Sequence, residues 1–386
     1  MFYYISFLRP PPSSSTPGSI SFTPQVANDL RTELFLGTQD IYYAWLSSTE
    51  SLQHTQLKPR KLMTWSQAVA YKEISVALPP NARPGQLWRL LLSASPSIQH
   101  ISISFGNVRS TGRVPFPVIS MPIRIAPKPE KGPAKQTQIE RMYRASLAGL
   151  GDLHFLLREQ TSFDLDKKVW DSGIGLSSWL VDLLNHSPPD TEPLVVSQAR
   201  DALLLNPCNT IELGTGTGIV SIILSALKAT RLGEAPREGQ FFTTDLTSAI
   251  PLLSHNINFN AKYFTQPSDI PQPLALNWDD ESLPEQVVDT GGFEVILMAD
   301  VTYNTVSFPS LLRTLSSLVQ LNTKHSRSPP VVILGYKERD PDERSLWGML
   351  ESEVGLRFER VGECEGWPAS TPVEFWIGQV KPPLPS

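Results

Sequence analysis

A chain of 386 residues with 40% hydrophobic and 18% charged residues is long enough to bury one large core and a smaller one. It has no run of 18 or more apolar residues, so no membrane-spanning helix is expected, and its two cysteines, Cys208 and Cys364, form neither a disulfide framework nor a metal-ligand cluster. The net charge of −5 is unevenly placed: residues 1–135 carry 14 Lys and Arg against 6 Asp and Glu, a net +8, and the remainder carries 19 against 32, a net −13.

In chain order, Met1–Leu8 is apolar but short, with no basic flank or small-residue cleavage site, so it does not read as a secretory signal. Together with the cysteine usage this points to a reduced intracellular setting, cytoplasmic with the nucleus also open. Residues 9–24 are rich in Pro and Ser and read as a loop. Apolar material at 41–45 and 87–105 is enough to fold, and Ile101–Phe105 alternates with the period of a strand. Ile125–Lys135, rich in Pro and Lys, reads as an exposed linker. The main boundary is therefore expected there, with an N-terminal extension at 1–135 serving partner or substrate recognition and a second unit at 136–386.

Beyond that point strands and helices alternate. An amphipathic helix is expected at 174–184. Strands at 209–213, 240–244, 293–299 and 331–336 are each followed by a helix, at 219–229, 247–260, 307–320 and 341–352. The last of these has Asp340 as N-cap and Pro341 at its first position. Strands at 357–362 and 373–380 close the chain with no helix between them, so one should run antiparallel. The pattern predicts an α/β fold with a mostly parallel sheet covered on both faces, plus some β content in the N-terminal region.

The segment Glu212-Leu-Gly-Thr-Gly-Thr-Gly218 lies between a strand and a helix, where glycines allow a tight turn and the helix N-terminus offers free N–H groups. The last position of a dinucleotide motif should be small, and here it is Ile219. A phosphate loop would need a Lys after its last glycine, and none follows. The pattern instead resembles motif I of the seven-strand methyltransferases, whose loop packs on the methionine part of the cofactor. The next strand ends at Asp245, placed to accept hydrogen bonds from both ribose hydroxyls of an adenosine ligand or, alternatively, to cap the following helix.

Four further segments narrow the resemblance: Lys168-Val-Trp-Asp-Ser-Gly173, Leu276-Asn-Trp-Asp279, Met298-Ala-Asp-Val-Thr-Tyr303 and Val332-Ile-Leu-Gly-Tyr-Lys-Glu-Arg339. Over about residues 155–380 the chain resembles the methyltransferase 16 family of mostly protein-lysine methyltransferases, as a fungal-type member with an N-terminal extension. The most specific element is Asp300-Val-Thr-Tyr303. The resemblance implies a Rossmann-like, seven-stranded class I sheet and S-adenosylmethionine as cofactor. It implies cofactor contacts from Trp170, Glu212, Gly214, Thr215, Gly216, Asp245, Ala299 and Trp278, the last beside the adenine. Asp300 and Tyr303 would face the methyl acceptor as the catalytic pair. Either tryptophan could instead fill the core, which the polar surroundings of Trp278 disfavour and which stays open for Trp170.

A lysine amine, with a reference pKa of about 10.4, must lose a proton before it can attack a methyl group. A dry aromatic site lowers that pKa, whereas a carboxylate raises it. Asp300 is therefore read as capturing and orienting the amine, and Tyr303 as bonding it or presenting its ring face. Satisfying a loop backbone is the alternative for Asp300. The expected function is methylation of a lysine on a protein, with a translation factor or chaperone as partner. A small-molecule N-methyltransferase and a non-catalytic cofactor-binding protein are the alternatives. The acidic pI of 5.8 argues against nucleic acid, no membrane partner is expected, and no metal is called for. Deleting residues 1–135 is expected to leave cofactor binding intact, unless Ile101–Phe105 packs on the second unit.

Overall fold

The computed structural model describes residues 1–47, 57–129, 132, 134–162, 164–233 and 235–380. Among them, the N-terminal part is built of strands. Tyr4–Arg9, Ser19–Ala27 and Ile74–Ala77 form a three-stranded antiparallel sheet. A nine-stranded sheet runs from the short Ser14–Ser15 to a long hairpin, Gln138–Leu147 paired with Gly151–Gln160. Between these two sheets lies a core that includes Ile5, Phe7, Phe22, Trp65, Leu90 and Val118. The stretch 9–24 is thus only partly a loop, because Ile20 and Phe22 alternate inward from its second half.

The expected boundary at 135 does not coincide with the change of sheet. Residues 130, 131 and 133 of the expected linker lie outside the described residues, while Ile125 ends a strand and Lys135 bridges Pro12. The hairpin that follows completes the N-terminal sheet, so the chain leaves that sheet only after Gln160. Its charged residues hid it: Arg141 and Glu159 are buried as an ion pair at 2.9 Å, and Glu140 is buried against Arg89 and Arg158. Buried charges that are paired in this way interrupt the apolar alternation by which a strand is recognised.

The second part holds a seven-stranded sheet made of β1 (Thr210–Leu213), β2 (Phe241–Asp245), β3 (Gln272–Ala275), β4 (Val295–Ala299), β5 (Val331–Tyr336), β6 (Leu356–Cys364) and β7 (Val373–Val380). The spatial order is 3-2-1-4-5-7-6, and β7 alone is antiparallel to its neighbours. This is the doubly wound, Rossmann-like class I sheet expected from the strand–helix alternation. Side chains alternate across it. Val295 and Leu297 face one core with helices α1 (Asp171–Asn185), α2 (Leu194–Leu204) and α3 (Ile219–Leu232), joined at its margin by α4 (Ile250–Phe259). Ile296 and Met298 face another with Phe308–Lys324 and Ser345–Met349.

Helix α1 departs from the expected amphipathic pattern, because Ser172, Ser177 and Ser178 are buried along with its apolar residues. The N-terminal part covers that side. Phe2, Tyr4, Ile103, Phe105, Phe116 and Tyr143 share one continuous core with α1, α3 and β7. Ser178 Oγ accepts a hydrogen bond from the Gly106 N–H at 3.3 Å and lies 3.1 Å from the Thr111 hydroxyl. The two parts are therefore joined by a common interior rather than by a surface contact.

Candidate functional site

The winding of the sheet reverses at β1, which lies between β2 and β4, and such reversals leave a crevice at the carboxyl ends of the strands. The crevice here is a cleft of about 1070 Å³ with its open mouth included. The loops after β1, β2, β3 and β4 line it, together with the segment leading into α1. Trp170, Glu212, Gly214, Thr215, Gly216, Asp245, Trp278, Ala299, Asp300 and Tyr303, singled out from sequence, all border this one cleft.

The floor of the cleft is the glycine loop. Gly214 has φ of +64°, and a Cβ there would stand 2.7 Å from Val301 and 3.3 Å from the Trp278 ring, so only glycine fits. Glu212 holds the loop from beneath. Its Oε2 accepts from the Thr215 hydroxyl at 2.8 Å, from the Ser221 N–H at 3.1 Å, and from the Ser221 hydroxyl. Burial lifts this carboxyl to about 7 despite those donors. Asp245 closes the loop from the side: Oδ2 accepts from the Gly216 N–H and Oδ1 from the Leu246 N–H, both at 2.7 Å. Burial raises its pKa to about 6, against the two backbone donors. It caps no helix, since α4 starts at Ile250 with Ala249 as its N-cap. Each oxygen accepts one hydrogen bond from a backbone N–H and keeps acceptor capacity for groups in the cleft.

Both tryptophans are half-buried walls. The Trp170 indole donates to the Leu165 carbonyl at 2.8 Å, and the Arg339 guanidinium lies 5.2 Å from its ring centre. Trp278 packs its inner edge on the core beneath β1 and β4 and lies across the glycine loop.

Asp300, just past β4, sits in the left-handed region at φ +60° and is 7% exposed. A non-glycine residue there costs about 1–3 kcal/mol and persists where its surroundings fix it. Its own N–H donates to the Gly335 carbonyl at 3.1 Å, and its carboxylate receives the Ser172 N–H at 3.3 Å. The dominant partner is Arg339, whose Nη2 reaches both oxygens at 2.9 Å. Tyr303 is half exposed; burial and the charges of Asp245, Asp166 and Asp300 keep its hydroxyl protonated by raising its pKa.

Behind Asp300 is a charge network that the sequence reading missed. Arg339 also binds Asp29 at 3.0 Å, while Lys337 binds Asp171 at 2.7 Å and Asp29 at 3.4 Å. The Tyr4 hydroxyl donates to Asp171 at 2.7 Å. Burial pushes the Asp29 carboxyl up, but the two cations outweigh it and hold it well below the usual range. Burial pushes Asp171 upward, and the charge of Asp29 adds to that rise. Lys337, Arg339 and Asp171 lie inside segments that carried the resemblance. Asp29 and Leu30 lie in no motif, and their only local signal is an Asn-Asp turn. A second cavity, of about 500 Å³ with its mouth, adjoins the cleft and is lined by Leu30, Leu165, Trp170, Asp300, Tyr303 and Arg339.

A family model described as lysine methyltransferase matches residues 151–353. The chain is 28% identical over 185 residues to the protein N-lysine methyltransferase METTL21A of Mus musculus, covering 48% of this chain and 66% of that protein. It is 26% identical over 144 residues to the protein-lysine N-methyltransferase EFM6 of Saccharomyces cerevisiae, covering 36% and 54%. With EEF1A lysine methyltransferase 3 of Xenopus tropicalis it shares 33% identity over 110 residues, covering 28% and 40%. The chain thus spans between 40% and 66% of the length of these relatives.

Proposed function

The chain belongs to the lysine methyltransferase family, and from that premise we propose that it transfers a methyl group from S-adenosylmethionine to the side-chain amine of a lysine on a protein. The observation that carries this reading is the convergence of the glycine loop and the Asp300–Tyr303 pair on one cleft, with a second cavity opening beside that pair.

The donor set suits the cofactor. Asp245 offers two carboxylate oxygens with acceptor capacity, which matches the paired hydroxyls of a ribose. Trp278 offers an aromatic face for the adenine, and the loop at Gly214–Gly216 offers backbone without side-chain bulk. Bound there, S-adenosylmethionine supplies an electrophilic methyl group on a sulfonium centre, so the remaining task of the protein is to position an amine.

Trp170 and Tyr303 give the approach to that position aromatic walls, which favour an uncharged amine by keeping water away. Asp300 is engaged on both oxygens by Arg339, so its charge is already compensated when an ammonium arrives. It orients the amine and raises the amine's pKa less than a lone carboxylate would. The proton leaves to water at the open mouth.

The net charge of −13 beyond residue 135 supports a cationic acceptor. The Xenopus tropicalis relative is named for EEF1A, and a translation factor or chaperone is the acceptor class we favour, met in the cytoplasm or nucleus. The test is incubation with labelled S-adenosylmethionine and cell extract. Label should enter a protein band as methyl-lysine and vanish when the acceptor Lys is changed to Arg. Label confined to small molecules would overturn the lysine assignment.

A further inference from the structure

The turn at 28–33 in the N-terminal part is built firmly and sets one side chain in the second cavity and another on Arg339. Asn28 Oδ1 accepts from the N–H groups of Thr32 at 3.0 Å and Glu33 at 3.2 Å, and the Asn28 N–H donates to the Glu33 carbonyl at 2.9 Å. Arg31 takes φ of +60°, which turns the chain back sharply. Leu30 stands in the middle of this turn, half-buried, and lines the second cavity together with Asp300 and Tyr303. Asp29 points the other way, with its side chain fully buried between Lys337 and Arg339.

We propose that this turn is part of the acceptor site. Leu30 forms a wall for the aliphatic stem of the incoming lysine, and Asp29 is a positioning residue that acts on Asp300 through Arg339. The assignment rests on the methyl-transfer reading above.

The argument is one of geometry and charge. Arg339 lies between two carboxylates and divides its planar fork between Asp29 at 3.0 Å and Asp300 at 2.9 Å. Without Asp29, the guanidinium loses the carboxylate that anchors its other side, and its place on the two Asp300 oxygens, where an arriving ammonium must meet it, is no longer fixed. The groups that face this pair from neighbouring elements are Lys337 and Asp171, with the Tyr4 hydroxyl on Asp171. Leu30 is the member of the cavity lining that comes from the N-terminal part, and it stands among aromatic and aliphatic side chains suited to a lysine stem.

The experiment uses the full chain, labelled S-adenosylmethionine and a cell extract as acceptor, with cofactor affinity measured separately by calorimetry. Leu30→Trp should fill the cavity, lower protein labelling at least tenfold, and leave affinity for S-adenosylmethionine within about twofold. Asp29→Asn should raise the half-saturating amount of extract at least fivefold while the half-saturating S-adenosylmethionine stays unchanged, a split that partial unfolding would not give. Leu30→Trp labelling at the wild-type rate, or losing cofactor affinity in proportion to labelling, would overturn the role of Leu30. An Asp29→Asn variant that lowers the maximal rate without moving the extract dependence would overturn the role of Asp29. No protein label from the wild-type chain would instead defeat the methyl-transfer reading itself.

Discussion

Around the glycine loop, the contacts that shape the cofactor side join residues close in sequence. Glu212 reaches Ser221 nine positions on, and Asp245 reaches Gly216 across 29. Around Asp300 the span is of another order: Ser172 is 128 positions away, Lys337 meets Asp171 across 166, and Arg339 meets Asp29 across 310. The first half of the site is centred on one strand–loop–helix unit, with Asp245 from the end of the next strand and Trp278 from the loop after β3. The second half is assembled from both parts of the molecule, so its specificity can change with residues that no motif contains. A motif can place a cofactor, but only the fold shows what surrounds the acceptor.

If the acceptor side depends on the N-terminal part, removing residues 1–135 should be the most damaging change. It deletes Phe2, Tyr4, Ile103, Phe105 and Phe116 from a core shared with α1. Losing a single buried aromatic costs about 3–5 kcal/mol, against a total stability of about 5–15 kcal/mol. The truncated chain should show no cooperative melting by circular dichroism. This reverses the expectation that the extension is dispensable for cofactor binding, and a folded truncation with wild-type affinity for S-adenosylmethionine would restore it.

Asp300→Asn comes next. The shape is kept, but the charge facing Arg339 and the acceptor is lost. Methyl transfer should fall on the order of 100-fold, as expected when a reacting group is misplaced by about 1 Å. The stability cost should stay below the about 3–5 kcal/mol of a broken buried pair, because Arg339 keeps Asp29. Rates near wild type would remove Asp300 from the acceptor side.

A smaller effect separates the halves by pH. Asp245, raised by burial to about 6, must be ionised to accept from hydroxyls on both oxygens. Affinity for S-adenosylmethionine should therefore weaken as pH falls through about 6, by up to about tenfold per unit, and Asp245→Asn should remove that step. The ligand-free protein should follow the opposite trend in stability. The carboxyls of Asp245 and Glu212 are both raised in the folded state, so the stabilisation from holding their protons is present below about pH 4 and is lost as pH rises through 6 to 7. A melting temperature flat over that range in the wild type would contradict the burial of both groups.

The inner strands of the central sheet were legible because they are buried on both faces and read as short apolar runs. The expected ranges 331–336 and 373–380 coincide with β5 and β7, and Asp340 caps as expected, its carboxylate accepting from the Asp342 N–H at 2.9 Å. The helix after it departs from a regular α form, passing from a 3₁₀ turn through Ser345–Met349 into a π turn at Leu350–Val354. Strand β3 escaped notice because it is a partly exposed edge strand that begins Gln272-Pro273 and shows no alternation. In the N-terminal part only Ile101–Phe105 was expected as a strand, and it forms over Ile103–Phe105. The rest was obscured by short strands and by charges, such as Arg141 and Glu159, that are buried in pairs. The same cause concealed Asp29: a lone acidic residue in a turn reads as surface until Lys337 and Arg339 are brought to it.

One calorimetric comparison tests the division of the site most directly. S-adenosylmethionine is titrated into the wild-type protein, Asp245→Ala and Asp300→Asn under the same conditions. Charge-assisted hydrogen bonds contribute about 1.5–3 kcal/mol each, so Asp245→Ala should bind about tenfold or more weakly, while Asp300→Asn should bind as the wild type does. Unchanged affinity in a folded Asp245→Ala, or an equal loss in Asp300→Asn, would contradict a cofactor half and an acceptor half built from separate residues.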